Sequence, residues 1–309
     1  MSYAYLFPGQ GSQSLGMLTE LAGEYPEVKQ TFEHASEILQ QDLWALVSSG
    51  PEEELNRTEN TQPIMLCASF AVWMVWNKKV NNPAYMAGHS FGEYTALVCS
   101  GALDFATAVP LARFRGEVMQ QAVPVGQGAM AAVLGLDNDK LAEVCVEASQ
   151  GQVVEAVNFN APGQVVIAGD WDAVARAINV AKAAGAKRAV VLPLSVPSHS
   201  SLMQPAAEKM RDYLAGIVLK PSSVSVIHNV DVKAHSNVDD IKDALYRQLF
   251  NPVRWVETIR YLITRGTETF IELGPGKVLT GLSKRIDKSV PCYCVHDLKS
   301  LEQTLEQVS

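Results

Sequence analysis

The sequence lacks most of the features that would mark it as anything but an ordinary globular chain. No apolar run reaches the roughly 20 residues that a membrane-spanning helix needs, and the most apolar stretch, residues 64–76, reads as a buried helix. The N-terminus has no basic start leading into a continuous apolar segment. Gly9, Gln10 and Gly11 interrupt it just after Phe7, so no secretory signal and no membrane association are expected, and the cytoplasm is the expected location. Positive charge is not in excess: 25 Lys and Arg against 33 Asp and Glu leave −8, which argues against general attraction to nucleic acid. Cysteine is scarce, odd in number at five, and scattered. Only Cys292 and Cys294 lie close together, without the two-residue gap or the histidines of a zinc site, so reduced thiols are expected. With 48% hydrophobic and 19% charged residues, no disordered tail is expected either.

What remains is enough chain, 309 residues, for one large core or a core with a smaller lobe. Neither disulfides nor partner subunits are needed, and a monomer is the default expectation. Residues 3–7 read as a short strand that Pro8-Gly9-Gln10-Gly11-Ser12 breaks into a loop, with helical patterns over most of residues 20–80. A second short strand, 84–88, runs into a helical pattern from Phe91. Between residues 126 and 192 the pattern becomes strand 129–134, helix 137–148, strands 153–159 and 164–168, helix 170–184 and strand 187–192. That order is a ferredoxin-like β-α-β-β-α-β unit, with Asp137 and Asp170 standing where N-caps belong. Strands and helices alternate again afterwards: helix 200–215, strand 224–227, helices within 239–265, strand 269–273 and a final strand and helix. This predicts an α/β core with parallel strands.

The chemistry concentrates on Gly88-His89-Ser90-Phe91-Gly92, a Gly-x-Ser-x-Gly sequence at a strand-to-helix junction. A serine at a helix start can be a simple N-cap. A cap explains Ser90 but not the two glycines, whereas a sharp nucleophile elbow needs both, since side chains there would collide. At a helix start the backbone N–H of Phe91 is aimed at an oxyanion on an acyl group attached to Ser90. A second donor has to come from another loop. Gly9-Gln10-Gly11 is the candidate, with a plain Pro-Gly turn as the alternative. Serine also needs a base. His199, in Val196-Pro197-Ser198-His199-Ser200, has the favoured loop-to-helix setting; His34 lies on a charged helix, and His228, His235 and His296 are weaker loop candidates. His89 adjoins the nucleophile and reads as shaping the site. From these residues alone, ester hydrolysis and acyl transfer both stay open.

Six segments, Phe7-Pro8-Gly9-Gln10-Gly11-Ser12-Gln13, Gly88-His89-Ser90-Phe91-Gly92-Glu93, Arg113-Phe114-Arg115-Gly116, Val196-Pro197-Ser198-His199, Pro252-Val253-Arg254-Trp255 and Glu272-Leu273-Gly274-Pro275-Gly276, together carry a resemblance. Over nearly the whole chain, and in the same order, the sequence resembles the malonyl-CoA:acyl carrier protein transacylases of fatty acid synthesis. The resemblance implies that Ser90 takes up malonyl, that His199 is its general base and that Arg115 holds the malonyl carboxylate. It also implies an oxyanion hole from the backbone N–H groups of Gln10 and Phe91, and a main-chain carbonyl of Gln248 that orients the histidine. His89, Gln62 and Asn160 resemble residues lining the family's site.

Malonyl-CoA and acyl carrier protein are the implied partners, in a ping-pong reaction with no metal or redox cofactor. A planar guanidinium suits the carboxylate, because it can grip both oxygens. Arg113, two residues away, should point elsewhere on the helix. Phe91 stands where many bacterial members carry leucine. Lys182, Lys187 and Arg188 are candidates, from charge clustering, for meeting the acidic carrier. The expected fold is a large α/β-hydrolase-like core (1–125 and 193–309) interrupted by a small ferredoxin-like subdomain (126–192).

Overall fold

The computed structural model describes residues 2–80, 83–194 and 196–308. Two sheets organise them. The first is parallel throughout and is built from β1 (Tyr3–Phe7), β2 (Tyr85–Gly88), β7 (Ser225–Ile227), β8 (Thr269–Leu273) and β9 (Cys292–Val295). Its order is β7-β2-β1-β8-β9. The central strands β1, Tyr-Ala-Tyr-Leu-Phe, and β8, Thr-Phe-Ile-Glu-Leu, are buried on both faces and mostly apolar, as strands of a parallel sheet covered by helices are, with Glu272 their one buried carboxylate. One covering helix, Thr58–Asn77, is buried over most of its length and contains the apolar run singled out above. Among the described residues, no helix is long and apolar enough to cross a membrane.

The second sheet is antiparallel: β3 (Gly128–Leu134), β4 (Val154–Ala161), β5 (Gln164–Asp170) and β6 (Arg188–Val191) in the order β4-β5-β3-β6. Helices Asn138–Ser149 and Trp171–Ala183 connect β3 to β4 and β5 to β6. They close a separate apolar core around Val133, Ile167, Val174 and Ala177. The Asp137 side chain caps the first helix by accepting the Lys140 N–H at 2.8 Å. Asp170 precedes the second helix as expected, but its carboxylate does not cap it; it turns to the Val153 N–H at 2.7 Å, tying β5 to the start of β4.

Two features of this architecture position the site. Phe7 pairs with Gly88 at the end of the β1/β2 ladder, and His89 N–H donates to Phe7 O at 3.0 Å. The Pro8-Gly9-Gln10 loop and the His89-Ser90 turn therefore leave the sheet side by side at the carboxyl ends of the strands, where open α/β sheets bind ligands. The smaller sheet is fastened across the top: Phe159 N–H donates to Val253 O at 3.0 Å and Val253 N–H to Val157 O at 2.8 Å. A register shift between Ala156 and Asn158 lets β4 serve this second partner beside β5.

Candidate active site

β2 ends at Gly88 and a helix begins at Gly92, so three residues must reverse the chain. Ser90 does this with φ +52°, a left-handed conformation that a non-glycine residue holds only when its surroundings fix it. Both flanking glycines are obligatory. A Cβ on Gly88 would lie 1.9 Å from the Gly92 carbonyl carbon, and one on Gly92 would lie 2.1 Å from Phe7 O. The elbow is thus packed against the end of β1, and Gly9 is compressed likewise, 2.5 Å from His89 O to a would-be Cβ.

His199 reaches this serine from 109 residues away, its Nε2 2.6 Å from Ser90 Oγ. Its Nδ1 lies 2.8 Å from the main-chain oxygen of Gln248. A carbonyl can only accept, so Nδ1 carries the proton and Nε2 presents its lone pair to the serine hydroxyl. The imidazole is 2% exposed. Burial, reinforced by the nearby Arg115 charge, pushes its pKa down to about 3, so the ring is neutral and able to accept a proton. His34, His228, His235 and His296 do not contact Ser90. His228 binds Glu93, His235 binds Asp231, and His34 packs against Phe105.

Arg115, on helix Phe105–Ala122, opens into the same cavity, about 60 Å³ in volume, as Ser90, His199, Gln10 and Phe91. A buried guanidinium is costly unless paired, yet among the described residues this one meets no carboxylate directly. It lies over the rings of Tyr94 (5.2 Å) and Phe91 (5.8 Å), themselves stacked, and Nη2 donates to Gln248 Oε1 at 2.9 Å. Among the described residues its Nε has no hydrogen-bond partner. Arg113 turns away as expected, toward Asn60 and Gln41.

The backbone donors divide clearly. Ser90 N–H is taken by Asn229 Oδ1 at 2.7 Å, while Gly92 and Glu93 N–H turn back onto His89 O and Ser90 O. The Phe91 N–H is engaged in none of these bonds and lies beside Ser90. Gln62 lines the cavity with Nε2 3.6 Å from Met119 Sδ, and its Oε1 has no partner among the described residues. His89 also lines it, held neutral by burial, with Nε2 2.7 Å from Asn160 Oδ1 and the ring edge-on to Trp255. Asn160 therefore reaches the site through His89, and Asn158, two residues earlier, is the asparagine that lines the cavity.

Lys187 and Arg188 sit at the Leu134 end of β3, Arg188 paired with Leu134 itself. Met130, which lines the cavity, is four residues along the strand, about 13 Å away at 3.3 Å per residue. Lys182 is in the last turn of helix Trp171–Ala183. Sequence reasoning assigned no part to Glu93 or Asn229, both fully buried beneath Ser90. Glu93 did carry a signal, as the one charged residue in the otherwise uncharged helix Gly92–Cys99. Asn229 carried none.

Known proteins share this sequence and fold over nearly the whole chain. Residues 4–301 match the acyl transferase domain family. The malonyl CoA-acyl carrier protein transacylase of Escherichia coli K12 is 54% identical over 98% of this chain and 99% of its own, and that of Bacillus subtilis is 46% identical over 98% and 97%. Among solved structures, a malonyl-transacylase in complex with a type II PKS acyl-carrier protein superposes with TM-score 0.98 at 53% identity, covering 99% of this chain and 100% of that one. An acyl carrier protein S-malonyltransferase from Vibrio cholerae gives 0.95 at 54%, covering 98% and 100%. The chain belongs to the acyl transferase domain family and, within it, to the malonyl CoA-acyl carrier protein transacylases.

Proposed function

We propose that this protein transfers malonyl from malonyl-CoA to the phosphopantetheine thiol of acyl carrier protein, by way of an ester on Ser90, and so supplies extender units for fatty acid synthesis. His199 Nε2 takes the Ser90 proton as Oγ attacks the thioester carbonyl, and the oxyanion is met by the N–H groups of Phe91 and Gln10. Collapse breaks the C–S bond, the imidazolium returns its proton to the coenzyme A sulfur, and the malonyl ester remains. The carrier thiol then gives its proton to His199 and attacks the ester carbonyl; collapse breaks the bond to Ser90 Oγ, the imidazolium returns the proton to that oxygen, and the carrier leaves as its malonyl thioester. Arg115 holds the distal carboxylate throughout, and the Gln248 carbonyl keeps the imidazole in register.

The observation that carries this reading is the fully buried Arg115 guanidinium, without a carboxylate in contact among the described residues, in the same small cavity as the Ser90–His199 pair. A hydrolase acting on neutral acyl groups leaves that charge unexplained. The chemistry described needs no metal or redox cofactor.

The same reading covers the architecture. Residues 126–192 form a ferredoxin-like subdomain, supported by the β-α-β-β-α-β order and the edge-to-edge order β4-β5-β3-β6. They are inserted in a core of residues 1–125 and 193–309 that is hydrolase-like in carrying its nucleophile on a strand-to-helix elbow. The expected setting is the cytoplasm.

Mass spectrometry of the intact protein tests the assignment. Malonyl-CoA should add one malonyl group, holo acyl carrier protein should remove it, and Ser90→Ala should acquire none. An adduct that persists in Ser90→Ala overturns it.

A further inference from the structure

Beneath the elbow lies a polar cluster that touches neither the cavity nor solvent. The Glu93 carboxylate, fully buried, faces three donors: His228 Nδ1 at 2.7 Å on Oε1, and Asn229 N–H and Gln248 Nε2, both at 2.9 Å, on Oε2. Each of these partners lies at least 135 residues away in sequence. Two of them lead straight to the reacting groups.

Asn229 closes a ring around the strained residue: Oδ1 accepts the Ser90 N–H at 2.7 Å, and Nδ2 donates to Gly88 O at 2.7 Å. Both ends of the left-handed turn are held by one amide. Gln248 makes the other link. Its Nε2 donates to Ser90 O at 3.0 Å as well as to Glu93. Both of those oxygens only accept, so the amide has one allowed orientation, and Oε1 is left facing Arg115 Nη2. The carboxylate therefore stands one amide away from the guanidinium, near enough to hold Gln248 against it without occupying the face a substrate carboxylate would use.

We infer that Glu93 and Asn229 are positioning residues for acyl transfer, Asn229 holding the Ser90 backbone in its left-handed conformation and Glu93 anchoring both Asn229 and the Gln248 amide that faces Arg115. The inference rests on Ser90 being the nucleophile. What Glu93 supplies is reach, three donors met at once by two oxygens, rather than charge. Gln at this position keeps that reach: its oxygen still serves Asn229 and Gln248, and its NH2 meets His228 after a change of imidazole tautomer. Asp keeps the charge and withdraws it by one methylene.

Single-turnover malonylation, followed by rapid quench and intact mass over a range of malonyl-CoA concentrations, separates these roles. Wild type must first form the adduct and Ser90→Ala must not; failure there overturns the proposed function and this inference with it, whereas a failure confined to the Asn229 and Glu93 variants overturns this inference alone. Asn229→Ala should then lower the limiting rate by about 10²-fold, the order expected of a displacement near 1 Å, with half-saturation held within about threefold because Asn229 does not line the cavity. Glu93→Asp should lower the rate comparably and also raise the half-saturating concentration, since the Arg115 link loosens. Glu93→Gln should keep the rate within about tenfold of wild type. A folded Asn229→Ala, with an unchanged circular dichroism spectrum, that acylates within about threefold of the wild-type rate overturns the elbow role. The order Asp above Gln at position 93 overturns the positional role in favour of charge.

Discussion

His199 donates its Nδ1 proton to the main-chain carbonyl of Gln248, 2.8 Å away, so a neutral, immovable group stands where many serine triads carry a carboxylate. The imidazole gains orientation without a counter-ion, and in its buried position it stays uncharged. Both consequences can be measured.

The first concerns rate against pH. The competent form of His199 is neutral, and with a folded pKa near 3 it is lost only as pH falls toward that value. Single-turnover malonylation should therefore change by less than about twofold between pH 7 and pH 5, where a base titrating at the ordinary histidine value of ~6.5 would lose most of its activity. A half-loss near pH 6.5 in stopped-flow or quench data defeats the account.

The second concerns stability, and its sign is opposite to that of a salt-bridged histidine. Below pH ~6.5 the unfolded chain binds a proton at this position that the folded chain does not, so stability is whole above that pH and declines as pH falls from there toward 3. His199 alone should contribute a loss of about 1.4 kcal/mol per pH unit over that window, and His89, also pushed down by burial, acts in the same direction. Urea unfolding at pH 7 and pH 5 should show the decline, and His199→Ala should flatten it.

Arg115→Lys and Arg115→Ala separate charge from shape. A charge-assisted hydrogen bond is worth about 1.5–3 kcal/mol, so Arg115→Ala should lose malonyl transfer by a factor of about 10–10² beyond any loss of acetyl transfer. Lysine restores the charge but not the two-pronged grip, and it should recover only part of that factor. Equal losses of malonyl and acetyl transfer in initial-rate assays remove the carboxylate from the argument.

How much of this was readable beforehand depended on how local the cause was. The elbow was legible because its residues sit within five positions: Gly88 is small for a collision that the Ser90 turn itself creates, and Gly92, although small for a collision with the end of β1, stands in the same short pattern. The inserted lobe was legible because its strands and helices follow one another in chain order. Asp170 shows the limit: the helix start was right, but its carboxylate found the Val153 N–H across the sheet instead. Asn229 and the Gln248 side chain act across 139 and 133 residues on Ser90 and Arg115, and neither composition nor periodicity marks such a contact. Asn158 and Asn160 were inseparable by sequence, since the register shifts of β4, one between Ala156 and Asn158 and one between Phe159 and Ala161, decide which asparagine faces the cavity.

Gly88→Ala tests the elbow as a packing constraint. The added methyl would run into the Gly92–Glu93 peptide, with the carbonyl carbon, its oxygen and the Glu93 nitrogen all within 2.3 Å. None of these is the flexible end of a side chain, so the strand or the turn must move. The variant should be destabilised by more than about 4 kcal/mol, in the range reserved for backbone collisions and core disruption, and should be recovered largely insoluble. A thermal midpoint close to wild type would mean that the turn has another conformation available.

Phe91 supplies the last test, because its backbone and its side chain do different work. The N–H beside Ser90 survives any substitution other than proline, so oxyanion stabilisation should be indifferent to the side chain. The ring is another matter: it stacks on Tyr94 at 5.6 Å, and the Arg115 guanidinium lies over both. Phe91→Leu removes one of the two aromatic faces from a desolvated cation while leaving an apolar side chain of similar bulk. One such face on a desolvated cation is worth about 2 kcal/mol, so the Km for malonyl-CoA should rise by roughly 30-fold, with kcat within about twofold of wild type. Acetyl transfer, which makes no demand on the guanidinium, should be unaffected. A kcat loss with unchanged Km would instead place the ring in the transition state's surroundings and not in the clamp.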